Sequence, residues 1–362
     1  MDERVFKVKV GVPIPEWDSR HRLPIAGFVG PECKDSGTIF RINSTYMDVS
    51  EQPHMMRQWL AGGILTAIAF SIIFFWFFVF VVFFSPQKLR EGGHVFFAIQ
   101  LAVSAIGFAY FSFKFGRDEI FSLTRRPIRF NRVEKKIYAV RRRKFFSAAV
   151  DGDVIWEVPW SENTIFCVHS GRKNSADEDT YHIRCYELDA KGNVIRGFAI
   201  GREWDELDGM NDLLCQWNYW CWYMNEGPSE LPQPLLFLSE HEGFFESFLY
   251  CMYEVSFGLA ASLRIFLLPF FAWMAIHRIL ALWTCRPPVW PKNVERVSLV
   301  EKDDPFLQPT GGTPVGWAQT SQAHRTNSYP SDPRRKIPDW TGIKDGFKNA
   351  KQWQAEVAPR NH

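Results

Sequence analysis

The chain has no CxxC pair, and its 7 Cys are scattered and odd in number. No closed disulfide framework follows from that spacing. Cys33, Cys167, Cys185, Cys215, Cys221, Cys251 and Cys285 read instead as free, mostly buried thiols of a reducing compartment. No apolar run follows the charged start MDERVFKVKVG, so no signal peptide is expected and insertion would rely on the first transmembrane helix. No GxSxG elbow offers a serine nucleophile. His241 and Glu242 lack the second histidine of a zinc-peptidase helix, and Gly311, Gly312 and Gly316 lack the cation and hydroxyl of a phosphate loop. Cys167 and His169 would share a strand face, but His182 and Cys185 are three apart and point to opposite faces, so these four cannot converge on a metal. The expectation is no cofactor, no metal and no enzyme.

Charge is missing from one long stretch as well. Trp59 to Phe84 contains no charged residue; as a helix its roughly 26 residues reach about 39 Å, more than the ~30 Å hydrocarbon core. A soluble fold would have to bury such a helix on every face, which its flanks cannot do. The 33 Phe and 15 Trp fit membrane contact, where aromatic rings suit both acyl interior and headgroup boundary. A second apolar stretch, Val95 to Phe113, carries only Gln100, Ser104 and Ser112 as polar members. Its small residues Ala98, Ala102, Ala105, Gly107 and Ala109 allow close approach to the first span. The polar connection Ser85 to His94 has the length and composition of a tight hairpin loop.

Lys114 to Lys144 holds about 12 Lys and Arg against 3 acids, which by the positive-inside rule makes that side cytoplasmic. Arg125, Arg126, Arg129, Arg132, Lys135, Lys136, Arg141, Arg142, Arg143 and Lys144 therefore set topology, or bind anionic lipid at about 1 kcal/mol each. Nucleic acid is not expected, because the cluster lies against the bilayer without interleaved exposed aromatics.

Candidate strands follow at Ile128 to Asn131, Lys136 to Arg142, Val154 to Val158, Thr164 to His169, Thr180 to Leu188 and Val194 to Ile200, separated by Asp/Gly-rich and polar turns. Trp204, Leu207, Met210, Leu214, Trp217, Cys221 and Met224 recur every three or four residues, which predicts a closing helix with Glu203, Asp205 and Glu206 in its first turn. Asp151 to Glu246 has about 19 acids against 6 basic residues, a net near −13. This acidic surface suits a cationic protein partner, with Asp177, Glu178, Asp179, Asp205, Glu206 and Asp208 as candidate contacts.

Leu235 to Trp283 is apolar but punctuated by Glu240, Glu242, Glu246, Glu254, Arg264, His277 and Arg278. Glu246, Glu254, Arg264 and His277 are the candidate intramembrane polar residues, and Arg264 with the pair His277 and Arg278 would be expensive at depth. An amphipathic interfacial helix is expected up to about Phe257. Pro269 should kink or divide the remainder, which reads as a kinked or re-entrant pair, with a third full span as the alternative. From Asp303 onward Pro, Gly, Ser, Thr and Asn dominate, and a disordered tail is expected.

The order of elements gives an α+β membrane protein. Residues 1–56 form an N-terminal cytoplasmic β-rich segment and 57–115 a transmembrane hairpin. Residues 116–230 form a cytoplasmic β-barrel or sandwich with one C-terminal helix, 231–285 further membrane-associated helices, and 286–362 the tail. Six or seven strands closed by one helix resemble a pleckstrin-homology-like domain. The phrase Asn43 to Val49 before a membrane hairpin, then Pro127 to Arg132 opening a β-domain with a Trp156 to Trp160 strand, resembles an uncharacterised Gram-negative inner-membrane family. Members of that family are often encoded beside type VI secretion spike and toxin genes. The resemblance implies a multi-pass inner-membrane protein acting as an immunity or accessory protein that binds an antibacterial toxin. Its partners would be membrane lipids and a toxin or secretion component, and it supplies no catalytic residues. A lipid-sensing or scaffolding membrane protein, and a small channel or transporter, are the alternatives.

Overall fold

The computed structural model describes residues 8–27, 29, 33–35, 37–50, 57–84, 93–119, 123–141, 153–172, 179–229, 231, 236–256, 258–310 and 315–326. Its contacts divide the chain into two units. Unit 1 combines Met1–His54, Arg125–Glu242 and Pro288–His362; unit 2 combines Met55–Thr124 and Gly243–Pro287. In chain order, α1 (Glu16–Arg20), β1 (Arg22–Leu23), β2 (Ile39–Ile42) and β3 (Tyr46–Ser50) belong to unit 1. Next come α2 (Arg57–Val79, with a π-helical end at Phe80–Phe84) and α3 (Gly93–Glu119) of unit 2. Unit 1 resumes with β4 (Pro127–Asn131), β5 (Lys136–Arg141), β6 (Val154–Pro159), β7 (Ile165–Arg172), β8 (Asp179–Leu188), β9 (Val194–Asp205) and α4 (Glu206–Asn225). Helices α5 (Phe244–Ser256), α6 (Ala261–Phe266) and α7 (Leu268–Thr284) return to unit 2, and α8 (Lys292–Val297) and α9 (Trp317–Thr326) to unit 1.

Unit 1 contains two antiparallel sheets, ordered β2-β3-β4-β5-β6 and β1-β7-β8-β9. Alternation aims one face of each inward. Met47 and Val49 on β3 lie opposite Phe130 and Ile128 on β4, and these meet Ile137 and Ala139 on β5. From the other sheet Phe166, Val168, Ile183, Cys185 and Ile200 join the same core. Helix α4 supplies an aromatic ridge at helical spacing, with Trp217 5.4 Å from Trp160 and 5.1 Å from Phe166, and Trp220 4.9 Å from Phe130, ring centre to ring centre. The helix starts two residues later than its periodicity suggests. Trp204 and Asp205 continue β9, registered against Tyr181 and Thr180, so Glu203 and Asp205 end a strand and Glu206 opens the helix.

The sequence reading is corrected at residues 288–310 and 315–326, which fold into unit 1 rather than forming a tail. Strands β3 and β4 are buried at every position because the stretch after Pro287 covers their outer face. There Asn131 donates to the Val297 carbonyl (2.9 Å), the Ser44 amide and hydroxyl donate to Asp304 (both 2.8 Å), and Ile42 and Gln308 exchange backbone bonds of 3.1 and 2.9 Å. Trp317 is fully buried, donating its indole N–H to the Ser239 carbonyl at 2.9 Å. The stretch beyond Thr326 lies outside the described residues, as does the hairpin connection at 85–92.

Unit 2 contains two helices long and apolar enough to cross a membrane by length and composition, Ala61–Phe84 and His94–Gly116. They pack as a pair. Ser71 donates its hydroxyl to the Ala105 carbonyl (2.9 Å), and Phe108 sits 5.5 and 5.7 Å from Phe70 and Phe74. Ala105 is buried in this seam, whereas Gly107 and Ala109 are exposed. Pro269 divides the later apolar stretch as its fixed φ requires, standing in the first turn of α7 just after α6 ends.

Candidate functional site

The basic stretch after α3 is largely committed inside unit 1. Arg125 pairs with Glu242 at 2.7 Å, both side chains almost fully buried, and its guanidinium lies 4.1 Å over the Trp317 ring. Arg129 makes a bidentate pair with Asp48, 2.7 and 2.8 Å, directly across the β3–β4 register, and is held between the rings of Tyr46 (3.9 Å) and Trp290 (4.2 Å). Burial disfavours the Arg129 charge, but Asp48 outweighs it and raises the pKa above the ordinary value. Arg126 is buried.

Arg132 to Lys135 form the turn between β4 and β5, and they reach the C-terminus of α4. Lys135 donates to the Met224 carbonyl, while the Arg132 guanidinium lies against Gly227, where an added Cβ would sit 2.9 Å from Nε. Cations here complement the negative end of the helix dipole and occupy its last carbonyls. Lys135 accepts a left-handed backbone, φ 49°, at this position. Burial, and then the Arg132 charge, lower its pKa. Lys136 pairs at the surface with Glu157, 3.2 Å. The side chain of Arg141, and all of Arg142, Arg143 and Lys144, lie outside the described residues.

A second polar cluster occupies the outer face of the four-stranded sheet. Asp18 of α1 is fully buried and takes Nδ1 of His169 (2.8 and 3.0 Å) and the hydroxyl of Tyr186 on its carboxylate. His182 stands opposite His169 in the β7–β8 register, and its Nε2 accepts from Arg184 Nε at 2.9 Å. Accepting there requires a neutral imidazole. Burial, with the Arg184 charge second, lowers the His182 pKa well below its usual value. Cys167 shares this face opposite Arg184, while Cys185 points into the core. Burial raises the pKa of Cys167, Cys185 and Cys221, leaving protonated thiols that are poor nucleophiles. No group of three or more His, Cys, Asp or Glu able to hold a metal occurs among the described residues. Sequence spacing exposed the facing relation of 167, 169, 182 and 185 but not Asp18, whose role depends on α1 folding back onto the sheet.

Of the acidic candidates, Asp177 and Glu178 lie outside the described residues. Asp179 begins β8 opposite Arg172, Asp205 ends β9, and Glu206 and Asp208 fall in the first turn of α4. The backbone thus places Asp179 and Asp205 on neighbouring strand ends, with Thr180 registered against Asp205. The intramembrane candidates are spread over three helices of unit 2. Glu246 and Glu254 are half-buried on α5, Arg264 on α6 donates to the Leu259 carbonyl (3.1 Å), and His277 on α7 is buried with its ring 4.0 Å from that of Trp273.

These features define a mixed helix-and-sheet protein with two helices that could cross a membrane. The chain belongs to a family of unknown function, DUF6708, whose profile matches residues 105–302. No curated protein and no solved structure matches it.

Proposed function

We propose that this protein is a membrane-anchored, non-enzymatic binding protein of the bacterial inner membrane. Helices α2 and α3 cross the bilayer as a hairpin and tether unit 1, which engages a protein partner on the cytoplasmic side. One observation carries the reading: two long apolar helices leave large side chains such as Phe75, Trp76, Phe96 and Val103 exposed, a surface suited to lipid. The strand order β4 to β9 closing on α4 supports a pleckstrin-homology-like module, a fold used for binding. The acidic excess of residues 151–246 favours a cationic partner. The resemblance to proteins encoded beside type VI secretion genes points to an antibacterial toxin as that partner, with this chain as its immunity or accessory protein.

Lipid sensing by the basic stretch is the weaker reading, because Arg125 and Arg129 are engaged with Glu242 and Asp48 inside unit 1. The test is survival of cells producing the toxin encoded beside this gene, with and without this chain, combined with co-purification of the two. Survival that depends on the chain, and a recovered complex, are expected. Indifferent survival and no complex would remove the toxin-binding role.

A further inference from the structure

Unit 1 is built from three separate stretches of chain whose backbones bond to one another. Strand β3 pairs with β4 over five residues, Ile42 exchanges bonds with Gln308, and Gly316 donates to the Phe237 carbonyl at 2.9 Å. Such pairing cannot form across a bilayer. The stretches before α2, after α3 and after α7 therefore share one side of any membrane that α2 and α3 cross. Each inserted stretch must then cross an even number of times. Helices α2 and α3 account for two crossings. Residues 243–287 cannot cross once, by that parity, and their described helices do not supply two crossings. Helices α6 and α7 together cover Ala261–Thr284, at ~1.5 Å per residue enough for one passage, but α5 with 13 residues reaches only about 20 Å against a ~30 Å core.

Yet α6 and α7 present a continuous apolar face. Phe266, Phe270, Trp273, Ile276, Leu280 and Trp283 recur every three or four residues, and all are exposed. The opposite face turns its polar groups inward. Arg278 is fully buried, its guanidinium 4.0 Å over the Tyr250 ring of α5. His277 packs against α2 at Gly62, where an added Cβ would lie 2.8 Å from Nδ1. The two basic groups that make this segment look too costly for a membrane therefore do not face lipid. Arg264 and Arg286, both half-exposed, flank the apolar face at its two ends, as cations do at a headgroup boundary.

We infer that α6 and α7 form a one-leaflet wedge: their apolar face is seated among the acyl chains of the leaflet on the side of the sheets, without crossing. The face is covered by lipid because α7, through its inward face, packs on α2 at Gly62 within the unit whose helices α2 and α3 carry the other exposed apolar faces. The inference rests on α2 and α3 being membrane-crossing. It places α8 and α9 on the same side as the N-terminal stretch.

The test uses the full chain in vesicles of phosphatidylethanolamine and phosphatidylglycerol, with half-buried Cys285 replaced by Ser. Spin labels are placed singly at Phe266→Cys, Phe270→Cys and Ile276→Cys, with Phe75→Cys and Val103→Cys as references. Collision with oxygen and with a water-soluble nickel chelate reports lipid or water contact. The wedge predicts oxygen-rich, nickel-poor labels on all five, with those of α6 and α7 no deeper than one leaflet, ~15 Å. It also predicts that Ala260→Cys and Leu299→Cys are never modified by an impermeant maleimide applied to the side opposite the sheets. Nickel-accessible labels on α6 and α7 beside lipid-facing references would overturn the wedge alone. So would labelling of Ala260→Cys from the opposite side, or spin coupling between copies showing that a second chain covers the face. Nickel-accessible references would overturn the membrane reading, and the wedge with it.

Discussion

Trp317 lies in a stretch whose composition suggests a tail, yet its side chain is fully buried, and replacing it with Ala measures how far that stretch belongs to the fold. Removing a buried Trp costs about 3–5 kcal/mol from lost transfer and the cavity left behind. Two further contacts go with it: the indole N–H bond to the Ser239 carbonyl at 2.9 Å, and the ring under the Arg125 guanidinium at 4.1 Å. Trp317→Phe keeps a ring and loses the N–H bond, so about 1 kcal/mol of its effect comes from that bond. Hydrogen exchange of the full chain in detergent reads both. The Gly316 amide, bonded to the Phe237 carbonyl, and the Gln308 amide, bonded to the Ile42 carbonyl, are the reporters. Trp317→Ala should speed their exchange by roughly two to three and a half orders of magnitude, at 1.4 kcal/mol per factor of ten. Exchange within about fivefold of wild type, under ~1 kcal/mol, would refute the docking of residues 288–310 and 315–326.

Asp48→Asn leaves the Arg129 charge buried between Tyr46 and Trp290 and should destabilise unit 1 by about 3–5 kcal/mol in the same exchange experiment. Asp48→Leu combined with Arg129→Met should recover most of that loss; equal losses in both variants would contradict a paired charge. His182 gives a pH signature. Its folded pKa is lowered by burial, so its contribution is fully present above the unfolded value near 6.5. That contribution is lost as pH falls below about 6.5 toward the folded pKa, with a slope of up to about 1.4 kcal/mol per pH unit. Thermal melts between pH 7.5 and 5, of the order of one unit either side of that value, should show the decline in wild type and a flatter profile in His182→Gln; parallel profiles would remove His182 as its source. Asp177, Glu178 and Asp179 changed together to Lys should slow association with the proposed cationic partner about tenfold at low salt. An unchanged on-rate would show that these three acids do not steer binding.

The parts legible from sequence were those with local causes. A charge-free stretch of about 26 residues favours one long helix, and α2 and α3 stand at the expected positions as helices long and apolar enough to cross a membrane. Alternation located β4 to β8 to within three residues at either end, and Trp217, Cys221 and Met224 at helical spacing located the body of α4. The parts that escaped depend on distant partners. Tyr46–Ser50 carries Asp48 in its middle, which argues against a doubly buried strand until Arg129 is seen across the register. Trp290 and Trp317 stand alone among Pro, Gly and polar residues, so nothing nearby announces that one covers Arg129 and the other lies beneath Arg125. The basic stretch read as surface charge because its acids, Asp48 and Glu242, come from other segments of the chain. Arg278 read as an obstacle to membrane contact for the same reason, its partner Tyr250 lying on another helix.

Alkaline carbonate extraction of membranes from cells producing the full chain tests the anchoring by α2 and α3 most directly. A hairpin that crosses the bilayer keeps the chain in the pellet and floating with lipid at high pH. It should also remain there when salt strips peripheral proteins. Release of the intact chain into the supernatant would contradict membrane anchoring, and with it the proposal that unit 1 works as a tethered binding module.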